Sequence, residues 1–191
     1  MRTNLYFIRH AKSDERIRDD EIRPLTESGL LAAQKISRWF EDIKIDKIMA
    51  SPYKRVLQTL EPLSKKLMIE IETEYDLRER KNSKWFEDKN EHIDYIRNIW
   101  TDHNYKIENE ESIYELKKRN MAVINRIIKT HDYMNIVIGT HGMALCSILN
   151  NYLNFGFEYF IKIWDKMPYL FILEIEDGII NKWEEKYMEE V

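Results

Sequence analysis

Three apolar runs in this chain stop abruptly on residues that carry chemistry, and that punctuation constrains the fold more than any other feature. Leu5–Ile8 stops on Arg9-His10, Ile48–Ala50 on Ser51, and the run from Met134 to Gly139 on Thr140-His141-Gly142. A continuous apolar run with a sharp polar stop reads as a buried strand. Helical patterns separate these runs. Thr26 is placed to cap a helix whose Leu30, Ala33, Ile36 and Phe40 recur at three- and four-residue steps. Ser51-Pro52 reads as a second helix start, a hydroxyl cap before a proline whose missing N–H costs nothing there, with the helix running to about Lys66. Ser112 and Glu115 have capping-box spacing ahead of a stripe of Ile113, Leu116, Val123 and Ile127. A further helix follows Gly142 and runs to about Tyr152. Strands alternating with helices imply an α/β fold, a three-layer sandwich around a mostly parallel sheet. In such sheets ligands bind beyond the carboxyl ends of the strands, where these polar stops lie.

Two more strand signals complete the pattern, Met68–Thr73 and a C-terminal hairpin turning at Asp177-Gly178. Between Tyr75 and Asn109 the chain is highly charged but carries Trp85, Phe86, Ile93, Ile96 and Trp100, which predicts a loop and an amphipathic helix forming a lid-like insertion. The expected organisation is one domain over residues 1–191 with this insertion at about 75–109. Composition narrows the function. Five Gly and four Pro are too few for a turn-rich all-β sandwich. A net charge of −4 argues against a nucleic-acid binder. The single Cys146 excludes a disulfide scaffold and a thiolate zinc site, and His92, His103 and His131 lack a metal-ligand spacing. No apolar run reaches the ~18 residues of a membrane span, and the N-terminus has no signal-peptide core, so a cytoplasmic protein is expected.

The residues at the three strand ends belong together. An arginine at a strand end, or a lone histidine, has an ordinary structural explanation. Arg55 does not: it falls in the first turn of its expected helix, where a cation opposes the helix dipole unless an anion sits nearby. His141, between a strand and a helix and flanked by Thr140 and Gly142, lies in a setting that suits an anion. Arg9, His10, Arg55 and His141 on one sheet rim point to a phosphate pocket.

Six segments, in order, resemble the histidine phosphatase superfamily, in its phosphoglycerate mutase-like branch. Arg9-His10-Ala11 is similar to that family's R-H-G signature. Arg23-Pro-Leu-Thr through Gln34, Ser51-Pro52 through Thr59, Leu77 to Glu79, Glu111-Ser112 and Val137 to Gly142 resemble its further motifs. Three departures stand out: Ala11 replaces a glycine, Asn109-Glu110 precede Glu111 where glycine is usual, and Lys166-Met167-Pro168 replaces small polar residues.

The resemblance implies a metal-independent phosphatase with no cofactor, acting on a small phosphorylated substrate and releasing inorganic phosphate. It makes His10 the nucleophile that forms a phosphohistidine, and Glu79 the proton donor and later the base. Arg9, Arg55 and His141 become phosphate ligands, with Lys12 and Ser13 as further candidates. Glu74, Asp76, Glu87 and Asp88 are rivals for the proton role. Three alternatives compete: phosphoglycerate mutase-type transfer, phosphoprotein or phosphohistidine dephosphorylation, and a catalytically silent phosphate-binding module. Substrate and oligomeric state do not follow from the sequence.

Overall fold

The computed structural model describes residues 2–131 and 133–187. Met1, Asp132 and residues 188–191 of the expected 1–191 domain therefore lie outside the described residues. Six strands form one sheet in the order β3-β2-β4-β1-β5-β6. They are β1 (Arg2–Arg9), β2 (Lys47–Ala50), β3 (Ile71–Thr73), β4 (Asn135–Thr140), β5 (Tyr169–Glu176) and β6 (Ile179–Tyr187). The pairings β3·β2, β2·β4 and β4·β1 are parallel, and β1·β5 and β5·β6 are antiparallel.

Side-chain alternation along β1 divides the core into two layers. Tyr6 and Ile8 pack with Ile36, Phe40, Val56 and Leu60 under α1 (Glu27–Trp39) and α2 (Lys54–Leu67). Leu5 and Phe7 pack with Ile99, Ile124, Ile127, Leu145 and Phe160. These belong to α3 (Lys89–Thr101), α4 (Ile113–Thr130), α5 (Gly142–Leu153) and α6 (Phe157–Ile163). Gly139 in β4 lets α2 approach closely, because a Cβ there would lie 2.5 Å from Leu60 Cδ1 and 2.7 Å from Val56 Cγ1.

Thr26 caps α1 by accepting from Gly29 N, and Ser112 and Glu115 close the expected capping box on α4. Asp177 and Gly178 both have positive φ (49° and 80°), as a two-residue turn between twisted strands requires. Two expectations need correction. The helix expected at Ser51-Pro52 begins at Lys54, with Tyr53 as its N-cap and no side-chain cap bond. The strand expected over Met68–Thr73 is confined to Ile71–Thr73, since Met68 turns left-handed (φ 56°) to end α2. α6, which carries no signal in the sequence reading, precedes β5. The expected insertion contains a 3-10 turn at Tyr75–Leu77 and α3.

Candidate active site

The fold places the site where β1 and β4 lie side by side. The chain leaving β1 goes to α1 on one face, and the chain leaving β4 enters α5 on the other. A crevice opens between such diverging connections. Here it is a cavity of about 570 Å³ that Arg9, His10, Lys12, Ser13, Arg23, Arg55 and Glu79 all help to line.

His10 follows directly on β1 and is 6% exposed. Its Nδ1 lies 2.8 Å from the carbonyl oxygen of Ala11, so Nδ1–H donates there and Nε2 keeps its lone pair. Burial, and then the Arg55 and Arg9 charges, hold its pKa well below the ordinary histidine range. His141 caps α5 behind it, fully buried, with the two ring centroids 5.3 Å apart. Its Nε2 meets Ser51 Oγ at 2.8 Å, and burial again keeps the ring well below its usual pKa, aided by Arg55. The Ser51 hydroxyl thus serves His141. His141 is not among the residues that line the cavity, whereas the other expected phosphate ligands line it.

Arg55 is 1% exposed in the first turn of α2. It donates to the Asp20 carbonyl at 2.5 Å, and its Nη2 lies 3.3 Å from Asp20 Oδ1. Burial, with Arg23 close by, pushes its pKa down to about 10. Arg9 donates from Nη1 to the carbonyls of Ile163 and Lys166. Ala11 is accommodated without strain: it is buried beside Leu25 and Ala33, and its N–H donates to Thr59 Oγ1 at 3.0 Å.

Glu79 sits over the N-terminus of α5. Its Oε1 accepts from Arg80 N (2.9 Å) and Ala144 N (3.0 Å), and its Oε2 from Met143 N (3.1 Å). Arg78 and Arg80 flank it in sequence but point elsewhere, Arg78 to Asp76 and Arg80 to Glu110 and Tyr95. The rival carboxylates stand outside the cavity; Asp88, for example, caps α3.

Arg23 is a site residue that the sequence reading did not single out. It lines the cavity, pairs with Asp20 and lies 5.0 Å from the Trp85 ring centroid. Its only local signal is its place in the Arg23-to-Gln34 motif. His92, Trp85 and Phe86 also reach the cavity, while Trp100 and Cys146 are core residues. Glu110, at a position where the resembling family has glycine, is buried and pairs with Arg80 at 2.8 Å. No group of His, Cys, Asp and Glu among the described residues is arranged to hold a metal ion.

Four buried polar atoms here lack a partner: Arg9 Nε, Arg23 Nε, Arg55 Nε and His141 Nδ1. Unsatisfied donors are costly in a protein interior, and several gathered at one place mark an anion-binding site. An α/β/α sheet with paired histidines and forked cations at its strand ends defines a phosphoryl-handling class of protein.

The chain belongs to the histidine phosphatase superfamily (branch 1), whose sequence profile matches residues 5–182. Comparison with curated proteins finds no match. Among solved structures it is similar to Bacillus stearothermophilus YhfR, at 22% identity and a TM-score of 0.75 over 94% of each chain. It is also similar to a mutant phosphoserine phosphatase from Entamoeba histolytica in complex with phosphoserine (17% identity, TM-score 0.76, 95% of this chain and 96% of that one). A mycobacterial glucosyl-3-phosphoglycerate phosphatase matches over 98% of both chains (16% identity, TM-score 0.76). At these identities the likeness is one of fold.

Proposed function

We propose that this protein is a metal-independent phosphatase that hydrolyses a phosphomonoester through a phosphohistidine on His10. The observation that carries this reading is the set of buried, unpartnered donors of Arg9, Arg23, Arg55 and His141 around a neutral His10. Likeness of fold to phosphatases of phosphoserine and of glucosyl-3-phosphoglycerate supports it.

In the first step the His10 Nε2 lone pair forms a bond to phosphorus while the ester P–O bond breaks. The departing alkoxide takes a proton from the Glu79 carboxyl. Glu79 Oε2 accepts a single N–H, which leaves a lone pair to carry that proton. Water then attacks phosphorus, Glu79 takes its proton, the P–N bond breaks and phosphate leaves. Arg9 and Arg55 supply forked donors to the phosphoryl oxygens, as transfer through a loose transition state requires. His141 Nδ1, with Nε2 committed to Ser51 and the ring 5.3 Å from that of His10, would donate to a phosphoryl group held at His10. Ser13 and Lys12, which also line the cavity, serve as further phosphate contacts.

Release of p-nitrophenol from p-nitrophenyl phosphate in EDTA tests this directly. The wild type should turn over and His10→Ala should fall by at least ~10³-fold, with an unchanged circular dichroism spectrum. No release above the His10→Ala background would leave only a phosphate-binding module.

A further inference from the structure

The cavity has a second half that the phosphate chemistry does not use. Rings from three segments touch one another along its lining. Phe86 lies flat on His92 with centroids 4.7 Å apart and planes 6° from parallel. The edge of His92 meets Trp164 at 4.7 Å, and Trp164 meets Phe160 at 5.3 Å. Ile96 lines the cavity between them. Phe160 and Ile96 are buried, and Phe86 and Trp164 are half-buried.

Charge on this side is mixed: Lys84 Nζ stands 4.6 Å from the Phe86 ring centroid. Arg23 is paired with Asp20, and Lys84 lies 3.5 Å from Glu91. Glu15 and Asp165, both exposed, add carboxylates to the cavity lining. A substrate carrying a carboxylate or a second phosphate on its alcohol portion would meet these acids and an apolar wall. A flat uncharged group would instead pack against this apolar lining and shed water from both surfaces.

We propose that the wall of Phe86, His92, Ile96, Phe160 and Trp164 is a leaving-group subsite for a flat, uncharged, aromatic alcohol. This inference rests on the phosphatase reading and narrows its substrate class. The substrate is then a monoester whose only strong charge is the phosphate that His10 attacks.

The test must separate binding on the wall from leaving-group reactivity, so it compares esters of primary alcohols. kcat/KM is measured for 2-phenylethyl phosphate, ethyl phosphate and 3-phosphoglycerate with the wild type, Trp164→Ala, Phe86→Leu and His10→Ala. The wild type should prefer 2-phenylethyl phosphate over ethyl phosphate by about tenfold or more, the discrimination an apolar pocket supplies for added apolar groups. 3-Phosphoglycerate should be the poorest of the three. Trp164→Ala and Phe86→Leu should each pull the phenylethyl-to-ethyl ratio toward one. If Trp164→Ala does not fold, Phe86→Leu carries the comparison. Equal kcat/KM for phenylethyl and ethyl esters, or a preference that survives in the folded wall variants, overturns the subsite while leaving the phosphatase reading intact. Hydrolysis of no ester above the His10→Ala background overturns the phosphatase reading itself.

Discussion

At the scale of single residues, the most consequential feature is that His10 and His141 are buried uncharged beside arginines. Both have native pKa values held well below that of an unfolded histidine, about 6.5. Above that pH neither state carries the extra protons, and the stabilisation is fully present. As pH falls below about 6.5 the unfolded chain binds protons that the native rings refuse, so stability declines toward the native pKa values. Each ring contributes a slope of at most about 1.4 kcal/mol per pH unit. Urea midpoints between pH 7.5 and 5.5 should therefore fall more steeply for the wild type than for His10→Gln. Parallel curves would show that His10 titrates normally. His10, Arg9 and Arg55 are legible in the sequence because strand ends and a helix start announce them. Arg23 is not, because its place in the site depends on Asp20 and Trp85, contacts that no periodicity encodes.

At the scale of elements, α4 holds the segment that carries Glu79, the proposed proton donor, in place. Arg119 grips Glu111 through Nε (2.6 Å) and Nη2 (2.7 Å). The same guanidinium donates to the carbonyls of Asp76 (2.7 Å), Arg78 (2.9 Å) and Glu79 (3.0 Å). Arg119 is thus a positioning residue for Glu79. Arg119→Lys, which keeps the charge but loses the fork, should lower turnover of ethyl phosphate about ten- to a hundredfold. kcat/KM for 2,4-dinitrophenyl phosphate, which reports only transfer to His10 and whose leaving group needs no proton, should change little. Equal losses on both substrates would reduce Arg119 to a structural role. None of this clamp is visible locally, because its carbonyl contacts span about forty residues of sequence. The Ser51-Pro52 signal illustrates the opposite error. A hydroxyl before a proline resembles a cap, but the tertiary hydrogen bond to His141 claims it, and α2 starts three residues later. α6 is seven residues long, too short for an amphipathic period to stand out.

At the scale of the molecule, one buried ion pair fastens the 75–109 segment to the rest. The Arg80 and Glu110 side chains are 1% and 0% exposed. Glu110 also accepts from Ser83 N at 2.9 Å, Ser83 Oγ at 3.0 Å and the Tyr95 hydroxyl. Burial pushes its pKa up, but the hydrogen bonds from Tyr95 and Ser83 and the Arg80 charge outweigh this and hold it below the usual carboxylate range. Removing one partner strands the other charge in the interior. Glu110→Ala should cost about 3–5 kcal/mol in urea unfolding, and the double change Arg80→Met with Glu110→Leu should recover most of it. A loss under ~1 kcal/mol for the single variant would mean that water reaches Arg80. The strands and the apolar stripes of the helices follow from patterns that span a few residues each. The fastening of this segment does not, since it joins residues thirty positions apart.

The two halves of the cavity come from different parts of the chain. Groups proposed to face the phosphate stand at the end of β1 and at the head of α2, whereas the ring wall stands on segments outside the sheet. Descendants of this gene can therefore drift apart in what they consume while inheriting the same reacting centre untouched. Novelty in diet would accumulate in residues 82–96 and 160–167, and the strand ends would stay silent about it.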